Sequence, residues 1–184
     1  MGKSFAAAQL RAMGLPVFSA DDAVHALYAD ASVIAAIQSV LPPDYVMQPF
    51  SRALVAEYAA QNPAVIEKLE QILHPLVRAA EQNFIDSCKQ SGHAIAVIDI
   101  PLLFESGDYG RCDYIAVLSA PKLIQLWRVC GRPGMTWRKL SAILARQLPN
   151  AEKKRRADFV VQSWLGPAFS SMQWRRILAK ITKG

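Results

Sequence analysis

Ala94-Ile95-Ala96-Val97-Ile98-Asp99 is an unbroken apolar run that ends on a carboxylate. A strand with one wet face alternates apolar and polar residues. A run without alternation instead reads as a strand buried on both faces, as in a parallel sheet. Tyr114-Ile115-Ala116-Val117-Leu118 repeats the pattern, Phe159-Val160-Val161 is a shorter third case, and Pro16-Val17-Phe18 reads as a short strand near the start. Helical stretches separate these runs, which predicts an α/β fold with a parallel sheet. The 184 residues suit one domain with a sizeable core.

The helical stretches carry their own punctuation. Phe5 to Met13 reads as a helix stopped by Gly14. Asp21 or Asp22 can cap the next helix, which carries Val24, Leu27 and Tyr28 on one side. A helix is expected from Ala31 to Val40, then a break at Leu41-Pro42-Pro43-Asp44. From Ser51 to Gln90 the chain is mostly helical, with Asn62-Pro63 as a start signal and Val65, Ile66, Leu69, Ile72 and Leu73 at helical spacing. Pro75 lacks an N–H and should kink or restart that helix.

Near the start stands Gly2-Lys3-Ser4. It fills the last three positions of the phosphate-binding pattern Gly, four free residues, Gly-Lys-Ser/Thr. The opening glycine and the strand that feeds such a loop would precede Met1, a deficit of roughly ten residues. In this arrangement backbone N–H groups at a helix N-terminus hold phosphates and Lys3 neutralises them. The Ser4 hydroxyl is suited to Mg²⁺ bound to the phosphates. A tripeptide alone is weak evidence, but a helix and then a strand ending in a carboxylate follow it. Asp21, just past that strand, lies where ligands bind in open α/β sheets and can accept a hydroxyl proton, although a helix cap explains it equally well. Asp99 to Glu105 sets two carboxylates around an apolar stretch that either packs on a ligand or belongs to the core. Arg128, Arg132 and Arg146 flank Gly131-Arg132-Pro133-Gly134, as in a lid supplying positive charge, or are ordinary surface arginines. His74 and Arg78 fall on one helical face, a pairing suited to a phosphate-bearing substrate.

Other numbers narrow the setting. The net charge of +6 favours anionic partners such as nucleotides, acidic cofactors or nucleic acid. The basic runs Lys153-Lys154-Arg155-Arg156 and Trp174-Arg175-Arg176 read first as solvated helix faces. Cys88, Cys112 and Cys130 are odd in number and lack C-x-x-C spacing, which argues against a disulfide framework or zinc site and for a reducing cytoplasm. No apolar stretch reaches membrane-spanning length, and Gln9 and Arg11 interrupt any signal-peptide core.

In order along the chain, these segments resemble the dephospho-coenzyme A kinases. They are Gly2-Lys3-Ser4; Leu15 to Asp21; His74-Pro75-Leu76-Val77-Arg78; Asp99-Ile100-Pro101-Leu102-Leu103-Phe104-Glu105; Arg146-Gln147; and Ala157-Asp158-Phe159-Val160. The resemblance implies a P-loop NTPase-like fold, a three-layer α/β/α parallel sheet, with a helical substrate lobe at about 25–92 and a lid at about 122–148. It implies transfer of the ATP γ-phosphate to the ribose 3′-hydroxyl of dephospho-CoA with Mg²⁺, in the cytoplasm, without nucleic acid or membrane as partners. By the same resemblance Asp21 is the general base, with Lys3 beside it in catalysis. Gly2, Lys3, Ser4, Phe5, Arg128, Arg132 and Arg146 then bind ATP, and Ser4 contacts Mg²⁺ held by ATP. Asp21, His74, Arg78, Asp99, Pro101, Leu103 and Glu105 line the substrate side. Three positions depart from the family: Ser19 replaces an aspartate, Phe5 a threonine, and Gln162-Ser163-Trp164 the usual residues after the last strand. Read from the residues alone, another small-molecule or nucleotide kinase, a non-catalytic truncated protein and a basic nucleic-acid binder remain alternatives.

Overall fold

The computed structural model describes residues 2–46, 49–131 and 147–183. Arg132 and Arg146 lie outside the described residues, as does the Arg128 side chain, together with most of the expected lid. The chain divides into two compact units, one made of Met1–Leu15 with Pro101–Gly184 and the other of Pro16–Ile100.

The second unit holds two short strands and a helical group. β1 (Val17–Ser19) pairs in parallel with β2 (Val97–Asp99), with Val17 opposite Val97 and Ser19 opposite Asp99. The helices are α2 (Ala20–Leu27), α3 (Ala31–Gln38), α4 (Pro43–Val46), α5 (Arg52–Gln61) and α6 (Pro63–Gln90). Val33 and Ile37 of α3, Val55 and Ala59 of α5, and Leu69 and Leu73 of α6 form one buried cluster. The expected lobe at 25–92 falls within this unit. Two local expectations change. The Pro42-Pro43 break is followed by one helical turn, because Pro43 suits a first helical position. Pro75 neither ends nor restarts α6, which runs 28 residues through it. The proline removes one hydrogen bond, that to the Gln71 carbonyl, while Leu69 and Leu73 within the two preceding turns are buried in the cluster. Apolar burial over several turns outweighs one missing bond.

The first unit joins α1 (Lys3–Ala12) to the C-terminal half. β3 (Ala116–Ser119) pairs in parallel with β4 (Phe159–Gln162), Ala116 opposite Phe159 and Ser119 opposite Gln162. α7 (Leu103–Ser106), α8 (Lys122–Cys130), α9 (Asn150–Arg156) and α10 (Pro167–Ile181) complete it, with a 3-10 turn at Asp108–Arg111. Ala6, Ala7 and Leu10 of α1 are buried, as are Phe104, Val161 and Trp174. Gln9 fastens α1 to α10: its amide nitrogen donates to the Pro167 carbonyl at 2.8 Å, and its oxygen accepts from the Ser170 hydroxyl at 2.9 Å.

All described strand pairing is parallel, as the apolar runs predict, but it forms two two-stranded sheets. The strands are also shorter than their runs, and Val97 and Ile98 are half-buried where the sequence reading expects burial on both faces. Each strand of a two-stranded pair keeps one edge open, and that exposes its side chains as well as its backbone.

Candidate active site

The N-terminus of α1 is built to receive an anion. Gly2 caps it in the left-handed conformation at φ 83°, which a side chain would strain. A Cβ there would also lie 3.5 Å from the Ser163 Cβ. No side chain caps the helix and no acidic residue occupies its first turn. Its leading N–H groups and the positive end of its dipole are therefore available to phosphate. Lys3 Nζ is shielded from solvent, and Ser4 is exposed. Phe5, one residue on, is 48% exposed, so it adds little to the core of this unit.

The loop after β4 is fixed against this glycine by groups that sequence reading missed. The Ser119 carbonyl accepts the Ser163 N–H at 2.9 Å and the Ser163 hydroxyl at 3.2 Å. The Ser119 hydroxyl accepts from the Asn150 side-chain nitrogen at 3.1 Å, and Ser119 is almost wholly buried. A buried serine bonded on both sides is a rigid post. At the other end of the pair, Asp158 accepts the Ile115 N–H at 2.7 Å and so sets the β3–β4 register. The only signal in the sequence is the polar residue closing each apolar run.

The second unit carries the other set of groups. Ser19 is the N-cap of α2, its hydroxyl accepting the Asp22 N–H at 3.1 Å. The capping role that sequence reading offered to Asp21 or Asp22 thus belongs to Ser19. Asp21 and Asp22 stand exposed in the first turn, where the helix dipole favours their negative charge. Because Ser19 pairs with Asp99, the carboxylates of Asp21 and Asp99 both belong to the carboxyl edge of the β1–β2 pair. His74 and Arg78 are exposed on α6, and α6 packs on α2. An open concavity of about 510 Å³ lies beside His74, lined by Glu67, Glu70, Gln71 and Pro75 as well. Two carboxylates make that hollow a poor phosphate seat, and Arg78 is not part of its lining.

Asp99 to Glu105 leads along the chain from the second unit into the first. Pro101 and Leu102 form the turn, and Leu102 takes φ 55°, a left-handed conformation that is strained for a branched side chain. Leu102 is 42% exposed, Leu103 half-buried, and Phe104 buried with its ring 5.9 Å from that of Tyr109. The sequence alternatives of ligand contact and core thus divide residue by residue. Glu105 accepts from Lys153 Nζ at 2.7 Å and from the Leu148 N–H at 2.8 Å. Burial pushes its carboxyl up, but those hydrogen bonds outweigh the effect and hold it below the ordinary 4.5. Among the described residues no group of three His, Cys, Asp or Glu side chains gathers as a metal site.

The family model for dephospho-CoA kinase matches residues 1–164. The chain is 45% identical to the dephospho-CoA kinase of Brucella melitensis over 184 residues, which is all of this chain and 90% of that protein. It is 42% identical to that of Rhodopseudomonas palustris over 178 residues, 97% of this chain and 89% of the relative. The chain belongs to the dephospho-CoA kinase family.

The fold agrees with that membership. A solved Thermus thermophilus structure superposes with a TM-score of 0.79 at 27% identity, covering 97% of this chain and 91% of the other. A Campylobacter jejuni dephospho-CoA kinase shares the fold with a TM-score of 0.70 at 24% identity, over 100% and 92% of the two chains. The chain is thus a P-loop NTPase-like α/β protein and an ATP-dependent kinase of the last step of CoA biosynthesis, with dephospho-CoA as substrate. Glu152 pairs with Arg155 at 2.8 Å and Arg156 at 2.7 Å, and Lys153 is taken by Glu105. Cys88 and Cys112 are not in a disulfide. Among the described residues no helix is long and apolar enough to cross a membrane.

Proposed function

We propose that the chain transfers the ATP γ-phosphate to the ribose 3′-hydroxyl of dephospho-CoA with Asp21 as general base. The observation that carries this reading is the placement: Ser19 caps α2, and Asp21 stands exposed in its first turn at the carboxyl edge of the β1–β2 pair. Asp21 accepts the hydroxyl proton as that oxygen bonds to the γ-phosphorus, and the bond from phosphorus to the β–γ bridging oxygen breaks to release ADP. Little covalent work falls to the protein in such a transfer, so charge and placement dominate. The leading N–H groups of α1 and Lys3 hold the phosphates. Gly2 permits their close approach, and Phe5 borders the same end of α1. Arg128, Arg132 and Arg146 add positive charge on the ATP side. His74, Arg78, Asp99, Pro101 and Leu103 receive dephospho-CoA.

Ser4 fits Mg²⁺, because an exposed hydroxyl beside a phosphate seat suits an ion that takes its remaining ligands from phosphate and water. When bound, the ion neutralises charge on the β- and γ-phosphates. The cytoplasm is the natural setting for such an enzyme. The test is incubation with ATP and dephospho-CoA beside a panel of nucleosides, with the new phosphate located by phosphorus NMR. Phosphate on the 3′-oxygen of dephospho-CoA is expected. Preferential phosphorylation of a nucleoside would overturn the assignment.

A further inference from the structure

Glu105 gathers two donors onto one oxygen. Lys153 Nζ and the Leu148 N–H both reach Oε1, at 2.7 and 2.8 Å. The two side chains are only 14% and 20% exposed, for Glu105 and Lys153 respectively. An ion pair so sheltered is more than a surface contact, because breaking one partner strands the other away from water. The second oxygen, Oε2, is shut off from solvent and has no hydrogen-bond partner among the described residues. Leaving a carboxylate oxygen unsatisfied costs stability, so packing economy alone does not account for this carboxylate.

Its position in the chain gives a reason. Glu105 closes the segment that begins at Asp99, and its neighbour Phe104 is buried, which fixes the short helix α7 that carries both. Leu148 follows Arg146 by two residues, and Lys153 lies in α9. One side chain therefore ties the end of the Asp99–Glu105 segment to the first stretch of chain after the arginine-bearing residues. On the proposed function, the Asp99–Glu105 segment carries Asp99, Pro101 and Leu103 of the acceptor side. Oε1 of Glu105 is thereby occupied within the protein by Lys153 and Leu148.

We propose that Glu105 and Lys153 are positioning residues for phosphoryl transfer, which fix the end of the Asp99–Glu105 segment against the start of α9. The inference rests on the kinase reading. It predicts a loss in turnover, since misplacement by about an ångström far from the chemistry lowers rate on the order of tenfold to a hundredfold. It predicts little change in affinity for dephospho-CoA, since the two side chains are engaged with each other.

The experiment is steady-state kinetics on the full chain for Lys153→Met, Lys153→Arg and Glu105→Gln, with hydrogen exchange of the Leu148 amide measured in parallel. Lys153→Met should lower kcat by roughly tenfold or more, with KM for dephospho-CoA within about twofold. Lys153→Arg, which keeps a charged donor, should recover most of that loss. The Leu148 amide should exchange faster in Glu105→Gln. A large rise in KM for dephospho-CoA at unchanged kcat in Glu105→Gln would make Glu105 a substrate ligand and overturn the proposal. Wild-type kcat in Lys153→Met, with faster Leu148 exchange in Glu105→Gln, would reduce the contact to a structural one and overturn it equally. Should Glu105→Gln fail to fold, the two lysine variants decide the matter. A wild-type chain that phosphorylates no dephospho-CoA would instead count against the kinase reading itself.

Discussion

Ser19 stands opposite Asp99 in the parallel register of β1 and β2, and its hydroxyl accepts the Asp22 N–H at 3.1 Å. One residue thus aligns two carboxylates, Asp99 across the strand pair and Asp21 in the helix it caps. Where the family resemblance implies an aspartate, this chain caps α2 with a neutral hydroxyl. Both residue types are good caps, so the exchange keeps the start of α2 while removing one negative charge beside Asp21.

Removing that cap should therefore be felt in stability. Ser19→Ala is expected to lower the unfolding free energy by about 1 kcal/mol, whereas Ser19→Asp should stay within a few tenths of wild type. Urea midpoints of the two variants check this. Equal loss in both would mean that the Ser19 side chain acts through some contact other than the cap.

Which residue caps α2 was not legible in the sequence. Ser19, Asp21 and Asp22 are all good capping residues, and only the path of the backbone chooses among them. The strands were legible as unbroken apolar runs, and α6 from the helical spacing of its buried leucines. The restart offered as one outcome at Pro75 does not occur, since a local rule about one hydrogen bond does not weigh the core formed by Leu69 and Leu73. The partner of Glu105 was out of reach for another reason. Leu148 is 43 residues away, and nothing local announces such a bond. Ser119 and Ser163 were missed for the same reason.

The unbroken path of α6 makes Pro75 a strained resident. Pro75→Ala restores an N–H opposite the Gln71 carbonyl and should raise stability by about 1–3 kcal/mol. The denaturant midpoint should move up while its slope stays unchanged. A midpoint that falls would show that α6 depends on the break.

Lys3 should separate activity from folding. Lys3→Met keeps the length and apolar stem of the side chain while removing its charge. We expect kcat/KM for ATP to fall on the order of a hundredfold or more, as when a preorganised positive donor is lost from a phosphate site. The urea midpoint should hardly move. Activity within about threefold of wild type would remove Lys3 from the phosphate seat.

Acid should weaken the C-terminal half through its paired carboxylates. Glu105 is held below 4.5, against the pull of burial, by Lys153 and Leu148, and Glu152 is held at about 2 by Arg155 and Arg156. Both folded values are depressed, so their stabilisation is present above 4.5 and is lost as pH falls through the folded values. Urea midpoints should be flat from neutrality to about pH 5 and then decline. Glu105→Gln should show a weaker decline. A wild-type midpoint that rises on acidification below 4.5 would contradict the sign.

The central claim is that Asp21 takes the proton from the acceptor hydroxyl. Turnover of dephospho-CoA by Asp21→Asn at saturating ATP tests it most directly, read beside a urea midpoint that confirms folding. We predict kcat reduced on the order of a hundredfold to ten-thousandfold, the usual share of a general base, with the midpoint unchanged. A folded Asp21→Asn chain that turns over dephospho-CoA at near wild-type rate would contradict it.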